Sequence, residues 1–285
     1  MKNRADIIEK IVFFLLRASS YAVILSLLFM LGYIIKNGFS ALSWEFITEV
    51  PRDEMTKGGI FPAIVGTFYL MIGSALISVP IGIITAIYLT EFSTNPRIVK
   101  IIRLGINNLA GVPSVVFGLF GLSLFVVFFN FGTSILAGSL TLGVLNLPVV
   151  IRATEEALIT VPDTYREASL SLGATKWQTI YKIVLPGASQ GILTGIMLSL
   201  GRAAGETAPI MFTAAAFSTP DLPVSIFDEV MALPYHIYVL ATAGTRIVES
   251  RPIQYGTVIV LITMVLLMNM TAVILRYRFR KKMRL

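Results

Sequence analysis

Cysteine is absent from the 285 residues, which excludes disulfides, thiolate zinc sites and thiol nucleophiles. There is a single histidine, His236, and one imidazole cannot hold a metal on its own. Charge is scarce: 14% of residues are Asp, Glu, Lys or Arg, where a soluble domain carries about a quarter. With 55% hydrophobic residues, the chain lacks the polar surface that water requires, so lipid must solvate most of it. The pattern G-x-x-x-x-G-K-[ST] is also missing, so no phosphate-cradling loop for ATP is expected. No cofactor is therefore assigned to this chain. Any ATP-driven step would need Mg-ATP on another subunit.

What is present is a series of long uncharged stretches. A helix needs about 20 mainly apolar residues to cross the hydrocarbon. One stretch runs from Ala18 to Ile35, and a second lies between Lys57 and Glu91. The interval from Leu104 to Ile151 is too long for one span, and Asn130, Gly132 and Ser134 offer a turn, so it is read as a helical hairpin. A fifth span falls within Ile183–Phe217 and a sixth within Pro252–Leu275. No small-x-small cleavage site follows the first run, so a retained helix is expected there. The expectation is a single all-α domain over residues 1–285 with six spans. Pro113 and Pro148 are expected to kink buried helices, with pore shaping as the alternative.

The net charge of +7 would suggest nucleic acid in a soluble protein. In a membrane protein its distribution matters more, because Lys and Arg accumulate on the cytoplasmic side. Seventeen of the 23 Lys and Arg residues flank the side that holds both termini, five lie opposite, and Arg202 falls within a span. Both termini are therefore expected in the cytoplasm, with lipid and not nucleic acid as the surrounding partner. Two long outer segments, about 37–57 and 218–251, contain pieces such as Pro51-Arg52-Asp53-Glu54 and Thr219-Pro220-Asp221. They read as solvated loops or as a docking surface for an external protein.

The loop between spans four and five, about 161–187, reads as helix, glycine turn, helix. Pro162 suits a first helical position, Gly173 a left-handed helix end, and Thr175 with Gln178 a capping box. Pro186 marks the approximate end of the second helix. Tyr165, Ala168 and Leu172 share one face of the first helix. Taken alone, this describes a short amphipathic helix that either lies in the head groups or docks a partner.

Glu167-Ala168-Ser169, then Gly173, then Ile183-Val184-Leu185-Pro186 resembles the EAA loop of ABC importer permeases, with Ser169 in place of a second alanine. The resemblance implies a type I importer permease of the MetI-like fold whose first loop helix is a coupling helix fitting a cleft on an ATPase. Tyr165, Arg166, Glu167, Ala168, Leu172, Gly173, Ala174 and Pro186 would then serve coupling, with Glu167 capping or pairing at the socket. Bulk at Gly173 should break the turn.

Arg202 and Glu206 are the only charged residues deep in a predicted span. Each costs about 2.5–3.5 kcal/mol at a helix centre on insertion scales. Their spacing of four allows them to pair. They read either as a structural ion pair or as a substrate site, and small residues at Gly201, Ala204, Gly205 and Ala208 would allow close approach. Pro209 permits a break after them. For an anion path Arg202 supplies the cation, and its planar fork matches phosphate oxygens. Glu206 would hold the guanidinium when no anion is present.

Gly201-Arg202-Ala203-Ala204-Gly205-Glu206-Thr207 is similar to a motif of phosphate importer permeases, and Ala208-Pro209 resembles the PstA-type subunit more than its PstC-type partner. Gly111–Leu119 and Ala232–Tyr238 resemble the same family. The resemblance implies a phosphate importer in the bacterial inner membrane, with Arg202, Glu206 and Thr207 on the substrate path. It implies a second permease subunit, a pair of ATPase subunits and an extracytoplasmic phosphate-binding protein as partners, and a chain that is not itself an enzyme. Permeases for sulfate, molybdate or tungstate share the coupling loop and remain the nearest alternative. A passive channel would not need that loop, and a membrane enzyme would show clustered His, Asp or Ser.

Overall fold

The computed structural model describes residues 2–53, 55, 57–219, 221–243 and 247–283; Glu54, Pro220, Arg246 and Arg284 of the segments considered above lie outside them. Two long helices bracket the chain, α1 (Lys2–Gly38) and, at the far end, a helix running Ile247–Met283. After α1 comes a short α2 (Trp44–Thr48), capped by the Ser43 hydroxyl, and a two-stranded ribbon of β1 (Pro51–Arg52) and β2 (Lys57–Gly58).

The body of the molecule is then built from α3 (Phe61–Ile87), α4 (Pro96–Gly111), α5 (Ser114–Gly121), α6 (Ile135–Ile159), α7 (Asp163–Ser171), α8 (Lys176–Thr179) and α9 (Leu185–Gly205). It is completed by α10 (Ala208–Thr213), α11 (Leu233–Thr242) and α12, the Ile247–Met283 helix. Wider i→i+5 turns extend α3 through Tyr88–Phe92, extend α5 through Leu122–Phe128 and join α8 to α9 through Ile180–Val184.

Among the described residues five helical stretches are long and apolar enough to span: Glu9–Ala41, Phe61–Phe92, Ile135–Ile159, Lys176–Gly205 and Glu249–Ile274. A sixth is reached if α4 and α5 with its extension count as one span, bent by 100°. That bend corrects the third span, which does not begin at Leu104. Residues Leu104–Gly111 belong to α4, and the reversal falls at Val112-Pro113, where proline forces the residue before it out of the helical region. Pro113 thus separates two helices and does not kink one, whereas Pro148 is buried inside α6 as expected. The hairpin turn falls at Asn130–Ser134, with Asn130 and Gly132 at positive φ and the Ser134 hydroxyl accepting from the Ala137 N–H.

α3, α6 and α9 form the centre. One apolar cluster joins Ala86, Ile87, Ile151, Leu158, Ile180, Val184 and Ile192 at the basic end, which carries α7 and α8. A second joins Leu70, Leu142 and Ile210 towards the opposite end. By contrast α1 is exposed from Glu9 until it meets α12, where Tyr33 packs edge-on against Tyr255 with ring centroids 5.7 Å apart.

Neither outer segment is simply a solvated loop. Phe46 and Met55 of the first are buried, as are Val230, Met231, Ala232 and Leu233 of the second. The second segment serves the start of α6, whose first amides have no partner within the helix. Carbonyls of Thr213, Asp228 and Ile226 accept from Ser134, Ile135 and Leu136 at 2.9 Å each. The Leu233 N–H donates to Thr67 Oγ1 at 2.8 Å, which ties the segment to α3. At Gly66 a Cβ would lie 2.0 Å from the Met231 carbonyl oxygen, so only glycine admits that approach.

Candidate functional site

The α7–α8 loop closes with local backbone devices that the sequence encodes. Pro162 is the residue before α7, one position earlier than expected, and the helix begins at Asp163. It ends in a two-bond reversal: the Gly173 N–H donates to Leu170 O at 2.9 Å and the Ala174 N–H to Ser169 O at 3.2 Å. Gly173 has φ +85, and a Cβ there would meet nothing within 4 Å. The constraint at this position is therefore backbone handedness and not bulk. Thr175 and Gln178 form the capping box in both directions, at 2.9 and 3.3 Å. Pro186 does not end the second helix. It lies in the first turn of α9, and the i→i+5 turn before it absorbs the missing amide, so helix runs without interruption from Lys176 to Gly205.

The faces of α7 divide sharply. Tyr165, Glu167, Ala168 and Leu172 are exposed, Leu172 at 89%, with Trp177 and Tyr181 also exposed beyond the turn. Arg166 and Ser169 point the other way. Ser169 and Thr179 share a buried hydroxyl–hydroxyl contact of 2.9 Å that fastens α7 to α8. Arg166 Nε and Nη2 donate to Glu91 Oε1 at 3.2 and 2.8 Å, and its fork also reaches Leu158 O, Val161 O and Asp163 Oδ1. Arg166 therefore does not share the outward face with Tyr165, Glu167, Ala168 and Leu172. Glu91 was legible only as the charge that ends the second span. At the same end Arg103 holds Glu155 at 3.1 Å, joining α4 to α6, and Arg152 donates to Asn107.

The second cluster lies at a break in the fifth span. α9 stops at Gly205, Glu206 and Thr207 are non-helical, and α10 starts at Ala208 with Pro209 in its first turn. Arg202 Nε donates to Glu206 Oε1 at 3.1 Å, bridging the helix end. The side chains are 41% and 15% exposed, so within this chain the pair opens to the surface at Arg202, with Glu206 the more covered of the two. Ala203 and Ala204 turn inward against Met71 and α12, away from that surface. A Cβ at Gly205 would meet only open space. Thr207 is half-buried, and its carbonyl accepts from Met211 to begin α10.

His236, on α11 in the second outer segment, is buried with neither ring nitrogen bonded, and burial pushes its pKa down to about 4. Among the described residues no group of three His, Asp or Glu is placed to hold a metal.

Residues 78–285 match the family model described as the inner membrane component of binding-protein-dependent transport systems. The chain belongs to this family. Its members are membrane components of transporters, not catalysts, and carry several spans in the inner membrane. Within the binding-protein-dependent permeases, the chain is 35% identical over 271 residues to the phosphate transport system permease protein PstA 1 of Mycobacterium tuberculosis, covering 94% of this chain and 87% of the relative. It is 36% identical over 228 residues to PstA of Haemophilus influenzae, covering 79% and 80%. Among solved structures it is similar to the inward-facing MetNI methionine ABC transporter, with TM-score 0.60 and 18% identity over 78% of this chain and 94% of that one. The fold is the type I importer permease fold.

Proposed function

We infer that the chain is the permease subunit of an ATP-driven importer of inorganic phosphate, and that Arg202 and Glu206 guard its path. The observation that carries the reading is the Arg202–Glu206 pair at 3.1 Å, open to the surface at Arg202 where the fifth span breaks. Glu206 engages Nε, which leaves the two terminal nitrogens of the guanidinium for an oxyanion without breaking the pair. Phosphate suits that geometry because two parallel N–H donors match two of its oxygens. The adjacent carboxylate keeps the site from being a naked positive well, so an anion can leave as well as enter. Thr207, at the break, offers a hydroxyl on the same path.

An open charged face in lipid is costly unless another surface covers it. A second permease of PstC type would supply that cover and make the path a cleft between two chains. The outward face of α7, with Tyr165, Glu167, Ala168 and Leu172, would seat on an ATPase, one of a pair that binds Mg-ATP. The distribution of Lys and Arg assigns that end to the cytoplasm, with both termini. An external phosphate-binding protein would deliver substrate to the opposite end. PstA relatives at 35–36% identity over most of the chain support the substrate assignment.

The test is labelled phosphate uptake by vesicles reconstituted with all four components, competed by sulfate and molybdate. Phosphate uptake that needs ATP and resists both competitors supports the reading. Uptake of sulfate or molybdate in preference to phosphate overturns it.

A further inference from the structure

We propose that Arg166 and Lys176 latch the tip of the second span to the α7–α8 loop, so that the loop drives three spans and not only the two it is covalently joined to. The proposal rests on the reading of that loop as an ATPase handle. By sequence the loop continues α6 and α9, and a push on it moves those two directly. α3 belongs to a different part of the chain, and its tip reaches the loop only through side chains.

Those side chains grip consecutive residues from both helices of the loop. From α7, Arg166 takes Glu91 through two donors at 3.2 and 2.8 Å, with the two side chains only 18% and 9% exposed. From α8, Lys176 places its ammonium 5.1 Å from the centre of the Phe92 ring. Leu170, Thr179 and Ile180 complete a cavity of about 270 Å3 between these contacts. The rest of the Arg166 fork binds Leu158 O at 2.9 Å and Val161 O at 2.6 Å, so one guanidinium fastens α3, the end of α6 and its own helix.

Two physical points favour transmission over mere support. The tip of α3 is wound as an i→i+5 turn over Tyr88–Phe92, a geometry rare in helices and frequent where they work. Such a tip follows the loop only if something holds it. Arginine is also the side chain for the task, since a lysine ammonium cannot serve a carboxylate and two carbonyls from one planar fork. Arg166 is thus a positioning residue, acting through Glu91 on α3.

Because the chain has no cysteine, spin labels can be placed at Thr94→Cys and Ser171→Cys in the assembled transporter with cysteine-free partners. The label distance is measured without nucleotide and with ATP trapped, beside the phosphate moved per ATP hydrolysed. In the parent the distance should stay within about 2 Å between states, as for helices moving together. In Glu91→Gln, which keeps the side-chain shape, and in Arg166→Lys, it should shift by about 5 Å with ATP. Phosphate per ATP should fall about tenfold while hydrolysis continues.

A parent distance that changes by about 5 Å overturns the latch. So do variants that keep both the parental distance and the parental ratio. A parent complex that moves no phosphate overturns the functional reading instead, and the distance measurement, which needs only ATP binding to the assembly, still decides the latch.

Discussion

Ser169 Oγ and Thr179 Oγ1 lie 2.9 Å apart in the buried seam between α7 and α8. Thr179 also donates to Thr175 O at 3.2 Å, so it keeps a partner if Ser169 is lost. Ser169→Ala should therefore cost about 1 kcal/mol of stability or less and preserve transport, whereas Ser169→Leu should part the two helices and abolish ATPase binding. Thermal denaturation and co-purification of the ATPase check both outcomes.

Arg202→Ala should reduce phosphate uptake about a hundredfold or more while the complex still assembles, because the variant removes the cation beside the break in the fifth span. Arg202→Lys should retain part of the activity, as a point charge without the fork. Normal uptake by Arg202→Ala would refute the assigned role.

At Gly173 the open surroundings separate handedness from size. Gly173→Asn should be tolerated and Gly173→Ala should cost about 1–2 kcal/mol, with Gly173→Val worse again and uncoupled from the ATPase. ATPase stimulation measured across the three variants tests the order. Equal behaviour of Asn and Val at this position would show that the positive φ is not the constraint.

Gly66→Ala should detach the second outer segment, since its Cβ would fall 2.0 Å from the Met231 carbonyl oxygen. Protease nicking within 218–230, mapped by mass spectrometry, should rise in the variant and not in the parent.

Burial holds the His236 pKa near 4, below the ordinary 6.5. Below about pH 6.5 the unfolded chain takes up a proton that the folded chain refuses, so stability falls as pH drops from 6.5 towards 4. The full loss is about 3 kcal/mol. His236→Phe should flatten that part of the profile of melting temperature against pH, and an unchanged slope would exclude this histidine as its source.

The loop's turn was legible because its devices are local: the left-handed residue at 173 and the capping box at 175 and 178 are each set by a few neighbouring side chains. The long apolar stretches were legible for a similar reason, since the need of each span for lipid is written in its own composition. The Arg202–Glu206 pair was legible by its cost in a span and its spacing. Its open placement was not, because which side of a helix faces inward depends on what packs beside it, here Met71 and α12 against Ala203 and Ala204.

Composition and spacing by themselves determined a lipid-solvated helical chain with one charged pair in a span and one helix–turn–helix loop at its basic end. Only the tertiary structure decided that Arg166 turns away from the exposed face to Glu91, 75 residues earlier, and that Leu233 bonds Thr67 across 166 residues. It also decided that Pro113 divides two helices. Buried polar groups in a dry interior must find partners wherever the packed helices bring them, and that choice is made by the assembled fold, not by neighbours in the chain.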